Sequence, residues 1–287
     1  MTGSIRLPAK IIPASDSDDV PIVVMVHGSG ALDFDETVFK NRPFRDIAEG
    51  LAARGVSSLR YDKRTYAYRQ PVSSMDEETI LDALSAIQKA HQYSKHVFLL
   101  GHSLGAMLAP LIALRAEGVK SDLRAEGDKS HQRESTTTTH TTAPFAVEGV
   151  TMLAAPSRDL EEVVREQFDY LLPSGASQSF KNEQIEAIRT RSPHYFEEYH
   201  QTEAAKRLKR PIFILQGERD YQVSMKDFEG WKTALQGRPK TAFRSYPSLN
   251  HLFIEGEGKS TPLEYQTEGH VAKEILDDIS SFINNKL

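Results

Sequence analysis

The sequence contains no cysteine among its 287 residues. A disulfide framework, a cysteine nucleophile, a zinc site with cysteine ligands and an iron–sulfur cluster are therefore excluded, because each needs a cysteine sulfur. A chain of this length can bury about 75% of its unfolded surface. We therefore expect one large domain that folds without disulfides.

Excess positive charge and long apolar runs are also missing. The chain has 35 Lys and Arg against 40 Asp and Glu, a formal net charge of −5, and its scattered basic residues predict no nucleic-acid binding. No run approaches the ~20 apolar residues of a membrane span, and the start MTGSIRLPAK has no apolar targeting core. We expect a cytoplasmic protein, with the peroxisome as an alternative because the chain ends in Asn-Lys-Leu, a relative of the Ser-Lys-Leu signal.

Four runs are apolar without alternation, which is typical of strands buried on both faces. They are Ile22 to Val26, Val97 to Leu100, Val150 to Ala155 and Ile212 to Leu215. Helical patterns lie between them, such as the i, i+3, i+4, i+7 spacing that begins at Phe44. This alternation predicts an α/β fold with a mostly parallel, doubly wound sheet covered on both faces.

Two segments interrupt the alternation of strands and helices. Residues 119–145 are polar and Thr-rich, with few large apolar side chains to offset the entropy of ordering, and we expect a flexible insertion there. Residues 156–208 carry apolar and aromatic side chains at helical spacing and predict a small helical cap. The core of the single domain is then 1–118, 146–155 and 209–287.

A pentapeptide, Gly101-His102-Ser103-Leu104-Gly105, follows the second buried run and precedes an apolar helical stretch. A tight strand-to-helix turn with small flanking residues holds its central side chain clear of the sheet. Ser103 is therefore the candidate nucleophile. A serine hydroxyl is a weak nucleophile until a neighbouring base removes its proton, and that base needs a third group to orient it.

His251 is the candidate base, because it lies in the loop between a predicted strand, Thr241 to Tyr246, and the last helix. Asp220 is the candidate orienting acid, because it follows the strand that ends at Leu215, and ligands gather at the carboxyl ends of parallel strands. Asp220 could instead cap a helix, with Glu218 or Asp159 as the acid.

Two backbone N–H groups are needed to stabilise the negative oxygen of the attacked carbonyl. Leu104, at the start of the helix after the turn, is one predicted donor. The other comes from the loop His27-Gly28-Ser29-Gly30 after the first buried strand, with Ser29 as our prediction and Gly30 as the alternative.

The stretches HGSGALDFDET, LRYDKRT, GHSLG and GERD, taken together, resemble the α/β-hydrolase superfamily, in particular bacterial-type serine esterases and acyl hydrolases with a small helical cap. The resemblance implies ester hydrolysis through an acyl-enzyme on Ser103, with His251 as general base and Asp220 as orienting acid. It implies a small-molecule ester substrate and no cofactor or metal. Lack of cysteine excludes the cysteine-elbow branch of the superfamily, and Ser103 argues against its dehalogenases and epoxide hydrolases, which usually have Asp there.

Other functions fit the same three residues. Thioesterase, amidase or peptidase, and acyltransferase activities use this arrangement, and a noncatalytic ligand-binding receptor could share the fold. The sequence predicts neither the acyl-chain length of the substrate nor an oligomeric state.

Charged residues near the predicted sheet edge have two interpretations. Lys63 and Arg64, after a strand around Val56 to Arg60, could attract an acidic group of the substrate, but an ion-paired turn that braces the oxyanion loop is favoured. The acidic cluster of Asp33, Asp35 and Glu36 lacks an organised His partner, so a solvated turn is favoured over a metal site.

Overall fold

The computed structural model describes residues 5–70, 72–118, 145–172 and 177–285. Within these residues seven strands form one sheet in the spatial order 1-3-2-4-5-6-7. The first strand is antiparallel to its neighbour and the other neighbouring pairs are parallel. In chain order the strands are β1 (Ala9–Ile12), β2 (Ile22–Val26), β3 (Ser57–Tyr61), β4 (Val97–His102), β5 (Val150–Leu153), β6 (Ile212–Gly217) and β7 (Thr241–Tyr246).

Helices connect the strands and cover both faces of the sheet. In chain order they are α1 (Pro43–Ala52), α2 (Arg64–Tyr68), α3 (Leu81–Ala90), α4 (Leu104–Ala116), α5 (Leu160–Leu171), α6 (Gln178–Arg191), α7 (Gln201–Arg207), α8 (Met225–Ala234) and α9 (Lys273–Asn285). A π-helical turn (Asp76–Ile80) leads into α3, and 3₁₀ turns occupy Pro193–Phe196 and Pro262–Gln266.

The continuous apolar strands are explained by two hydrophobic cores, one on each side of the sheet. Val24 and Val26 of β2 belong to the core that also contains side chains of α3, α4 and α8, whereas the alternate residues Val23 and Met25 belong to the core with α1 and α9. Successive side chains of a strand point to opposite faces, so a strand covered on both sides has no polar positions. The predicted α/β class and mostly parallel sheet are confirmed.

The predicted strand limits agree with the observed ones to within two residues. The observed β2 and β7 match their predicted limits, while β4 and β6 each continue two residues further, to His102 and Gly217. The edge strand β1 was not predicted. Its residues are exposed or half-buried, so it lacks the continuous apolar run that identified β2, β4, β5 and β6.

The cap segment begins after β5 and returns to the sheet at β6, and it comprises α5, α6, the first 3₁₀ turn and α7. Several hydrogen bonds join it to loops at the carboxyl ends of the strands. Gln167 Nε2 donates to Gln222 O at 2.9 Å, and Tyr195 OH lies 3.1 Å from Ser29 Oγ. The cap therefore lies over the edge of the sheet where β2, β4 and β6 end.

Residues 119–144 of the predicted insertion lie outside the described residues. Phe145, the last residue of that predicted segment, packs against the core with its ring 5.6 Å from the ring of His91. In the described part of the chain, no helix is both long enough and apolar enough to cross a bilayer.

Candidate active site

Ser103 lies in a strained turn between β4 and α4. Its backbone has φ 52° and ψ −119°, a conformation that residues other than glycine rarely adopt. The flanking glycines make the turn possible, because a Cβ atom on Gly101 would lie 2.3 Å from Gly105 O, and one on Gly105 would lie 2.2 Å from Val26 O. The glycine pattern of the pentapeptide is thus required by close backbone contacts.

Asp220 is buried just beyond β6, and four hydrogen bonds fix its carboxylate. Oδ1 accepts the backbone N–H groups of Gln222 at 2.8 Å and Val223 at 3.0 Å. Oδ2 accepts Gln216 Nε2 at 3.2 Å and lies 2.6 Å from His251 Nδ1. Because these contacts hold both oxygens, the plane of the carboxylate is fixed with one oxygen facing His251.

The two other acids considered from the sequence lie elsewhere. Glu218 is exposed and accepts a hydrogen bond from Ser245 Oγ at 2.7 Å. Asp159 is exposed and occupies the position before α5. Of the three candidates, the structure brings only Asp220 into contact with His251.

His251 is held through its backbone as well as through its ring. Its carbonyl oxygen accepts a hydrogen bond from His102 Nε2 at 2.9 Å. The preceding residue, Asn250, braces the loop because its Oδ1 accepts the N–H groups of Leu252 and Ile254 at 3.0 and 3.2 Å. Because Nδ1 contacts Asp220, Nε2 is the ring nitrogen that remains available in the cavity lined by both His251 and Ser103.

Glu36 and His102 form a buried ion pair beside the turn. Glu36 is 1% exposed, its Oε2 lies 3.0 Å from His102 Nδ1, and its Oε1 accepts Gly28 N–H at 2.7 Å. Burial lowers the pKa of His102, but the Glu36 carboxylate and the His251 carbonyl outweigh it and raise the pKa above its usual value. Burial likewise raises the pKa of Glu36, and His102 reverses the effect, so its pKa is lowered.

The prediction of a solvated acidic turn is wrong for Glu36. The pair joins the loop after β2, the serine turn and, through His102 Nε2, the loop that carries His251. The sequence did not reveal this pair because Glu36 and His102 lie in separate segments that meet only in the fold. Among the described residues, no group of three or more His, Asp or Glu side chains is arranged to hold a metal ion.

Both predicted oxyanion donors border the site. Ser29 lines the same cavity as Ser103, and Leu104 is the first residue of α4, where N–H groups have no partner within the helix. Within the described ranges, neither amide N–H has an acceptor. Gly28 cannot serve in their place, because its N–H donates to Glu36.

The cavity beside Ser103 has a volume of about 310 Å³ and is closed partly by the cap. Its walls are mostly aromatic or uncharged: Leu32, Val38, Phe39, Gln167, Tyr195, Tyr221, Gln222, Leu252, Pro262 and Tyr265. Burial raises the pKa of Tyr221 to about 12, so its hydroxyl is neutral. A second cavity, of about 340 Å³, lies between α4 and the cap and contains none of Ser103, Asp220 and His251.

His27 predicts a loss of stability in acid. The side chain is 1% exposed between the rings of Phe44 and Tyr61, and burial lowers its pKa from 6.5 to about 4. The unfolded chain therefore binds more protons between these pH values. The free energy of unfolding should fall as the pH drops through this window, by about 3 kcal/mol in total.

Urea unfolding at several pH values between 7.5 and 4 measures this effect. A His27→Gln variant should lose most of the decrease, whereas His270→Gln, at an exposed site, should retain it. An unchanged pH dependence in His27→Gln would contradict the assignment to His27.

Comparisons with known proteins identify the family and the fold. A family model described as Alpha/beta hydrolase family matches residues 23–263. Esterase EstD of Thermotoga maritima is 37% identical over 297 aligned residues, which cover 96% of this chain; the chain spans 65% of the length of that relative.

Among solved structures, the esterase domain of a Rhodothermus marinus protein has a TM-score of 0.55 at 15% identity, covering 99% of this chain and 95% of that one. Est1E of Butyrivibrio proteoclasticus, solved with ferulic acid bound, has a TM-score of 0.57 at 12% identity, covering 99% and 96%.

Proposed function

Because the chain belongs to the alpha/beta hydrolase family, we propose that it is a serine hydrolase that cleaves carboxylic ester bonds through an acyl-enzyme on Ser103. The observation that carries this function is the contact between Asp220 and His251, 2.6 Å long and buried, beside a cavity that Ser103 also lines. The esterase name of the Thermotoga relative supports the ester bond as the target.

The reaction has two steps of the same kind. In the first, His251 removes the proton of Ser103 Oγ as this oxygen attacks the ester carbonyl, and the proton then passes to the departing alcohol. In the second, His251 removes a proton from water, the resulting hydroxide attacks the acyl-enzyme, and the proton returns to Ser103 as the acid leaves. Neither step needs a cofactor or metal.

Two groups of contacts support the charges that develop in these steps. Asp220 accepts a hydrogen bond from the N–H at His251 Nδ1, which leaves the other ring nitrogen free to accept the serine proton. The N–H groups of Ser29 and Leu104 stabilise the negative oxygen of the tetrahedral intermediate. The free amide of Leu104 also lies at the positive end of the α4 dipole.

Thioesterase, amidase and acyltransferase reactions pass through the same acyl-enzyme and are the alternatives. The charged groups of the lining, Glu36 and His102, pair with each other, and the other walls are apolar or uncharged, which favours a neutral substrate over a peptide with charged termini. A receptor on this fold has no need of the fixed Asp220 carboxylate or the strained serine. Cytoplasmic location and the boundaries of the 156–208 cap stay predictions from the sequence.

Hydrolysis of p-nitrophenyl esters of increasing acyl length tests the function. A cavity of about 310 Å³ is at the small end of the roughly 300–1,000 Å³ range of ligand sites. We therefore expect kcat/KM for the acetate or butyrate ester to exceed that for the decanoate by about tenfold or more. A fluorophosphonate probe should label the protein on Ser103 alone. A folded protein that neither hydrolyses these esters nor reacts with the probe would contradict the serine-hydrolase function.

A further inference from the structure

Lys63 is a buried cation whose ammonium group faces the protein interior. The residue follows β3 at the carboxyl edge of the sheet and is 2% exposed. Its Nζ donates to Gly28 O at 3.0 Å and lies 3.4 Å from Glu78 Oε1. Lys63 does not line the cavity beside Ser103. It is therefore placed to act on the oxyanion loop and not on an acidic group of the substrate.

The carbonyl that Lys63 contacts belongs to the same peptide group as the predicted oxyanion donor. No peptide bond in the described residues is cis, so Gly28 C=O and Ser29 N–H point in opposite directions. Holding the carbonyl toward Lys63 therefore holds Ser29 N–H away from it. On the other side of Gly28, the N–H group donates to Glu36 Oε1 at 2.7 Å. Two buried side chains of opposite charge thus fix both peptide groups of this glycine.

The oxyanion loop needs these hydrogen bonds because its own residues restrict its backbone little. Gly28 has no side chain to restrict its backbone. A Cβ atom at this position would lie 3.1 Å from Ser103 Cβ, so a bulkier and stiffer residue would crowd the nucleophile. The loop therefore passes close to Ser103 with a glycine, and buried hydrogen bonds supply the rigidity that the glycine lacks.

Lys63 also acts on the peptide electrostatically. A hydrogen bond from an ammonium group is stronger than one between neutral groups, and it polarises the peptide so that the N–H at its other end becomes a better donor. Glu78 keeps the cation compensated, and Thr65 Oγ1 donates to the same Glu78 oxygen at 2.8 Å. Burial lowers the pKa of Lys63, and the Glu78 and Glu36 carboxylates oppose this effect and so favour the charged form next to the loop.

We propose that Lys63 is a positioning residue that aims and polarises the Ser29 amide for the oxyanion. This role rests on the proposed function, since it concerns the negative oxygen formed at Ser103. It assigns the buried Lys63–Gly28 contact to transition-state stabilisation and predicts little effect on the ground-state complex.

The Lys63→Met variant tests this role, because methionine fills similar space and removes the donor. Loss of a whole oxyanion donor costs about 100- to 1,000-fold in kcat. A misaligned donor should cost less, so we expect kcat for p-nitrophenyl butyrate to fall by about 10- to 100-fold with KM changed less than about threefold. The inhibition constant of a trifluoromethyl ketone, which forms a tetrahedral oxyanion on the serine, should rise by a similar factor.

Arg64→Met is the matched control. Arg64 is a neighbouring buried cation that pairs with Asp82 at 2.6 Å and Glu77 at 2.8 Å, away from the oxyanion loop. Its loss should lower the melting temperature while kcat per folded enzyme and ketone inhibition stay near wild type. If Lys63→Met folds poorly because the Glu78 carboxylate loses the Lys63 ammonium, the Lys63→Met/Glu78→Gln double variant should regain stability without regaining kcat.

The outcomes separate the role of Lys63 from the function itself. If the wild type hydrolyses esters and either Lys63 variant is folded with wild-type kcat and ketone inhibition, the positioning role is wrong and the function stands. If Lys63→Met and Arg64→Met both lowered kcat and raised KM by similar factors, Lys63 would give structural support only. That result would also overturn the positioning role. A wild type that neither hydrolyses esters nor binds the ketone would overturn both.

Discussion

The Ser103→Ala variant is expected to lose about a million-fold in kcat for p-nitrophenyl butyrate, because the hydroxyl that forms the acyl-enzyme is removed. Its fold should persist. Alanine keeps the Cβ atom, so the turn at φ 52° carries the same strain, and no hydrogen bond of Ser103 Oγ occurs in the described residues. Steady-state kinetics at high enzyme concentration, together with thermal unfolding, measure the two effects.

A second serine in the cap provides the matched control. Ser179 is exposed on α6, where its Oγ donates to Glu183 at 3.2 Å. Ser179→Ala should hydrolyse esters at the wild-type rate and bind the fluorophosphonate probe in full, whereas Ser103→Ala should bind none. Probe retained by Ser103→Ala, or activity within about 100-fold of wild type, would show that another residue is the nucleophile.

Much of the site could be predicted because parallel strands place their carboxyl ends at one edge. Ser103 follows β4 and Asp220 follows β6, while His251 comes after β7. Their positions along the chain therefore predict their proximity once the sheet is parallel. The glycines around Ser103 further restrict the turn, so this part of the site is encoded within five consecutive residues.

The charged contacts behind the site could not be predicted in the same way. Glu36 and His102 are 66 positions apart, and Lys63 meets Gly28 across 35 positions. No local pattern identifies which charged residues will be buried, because their burial depends on partners that other segments bring to them. In the sequence, Glu36 lies in an acidic stretch that is typical of a surface turn. This is why a solvent-exposed position was predicted for it.

Substituting Asp220 by Asn should lower kcat by about ten-thousandfold, since it reverses the hydrogen bond that sets the His251 tautomer. The backbone N–H groups of Gln222 and Val223 require an acceptor at Oδ1, so the new amide oxygen will occupy that position. The NH₂ group then faces His251 Nδ1 and donates to it. The ring proton must move to the other nitrogen, which can no longer accept the proton of Ser103.

The same reasoning predicts which changes are tolerated. Glu218→Gln and Asp159→Asn remove the same charge from exposed positions and should keep wild-type kcat, because neither side chain contacts His251.

Asp220→Ala should be less impaired than Asp220→Asn when formate is added, because a small carboxylate can occupy the vacated position and restore the tautomer. An Asp220→Asn enzyme that keeps more than about a tenth of wild-type kcat would show that the Asp220–His251 contact supports the loop and not the base. The loss of kcat in Lys63→Met would then exceed the loss in Asp220→Asn. The buried 2.6 Å contact between Asp220 and His251 favours the opposite order.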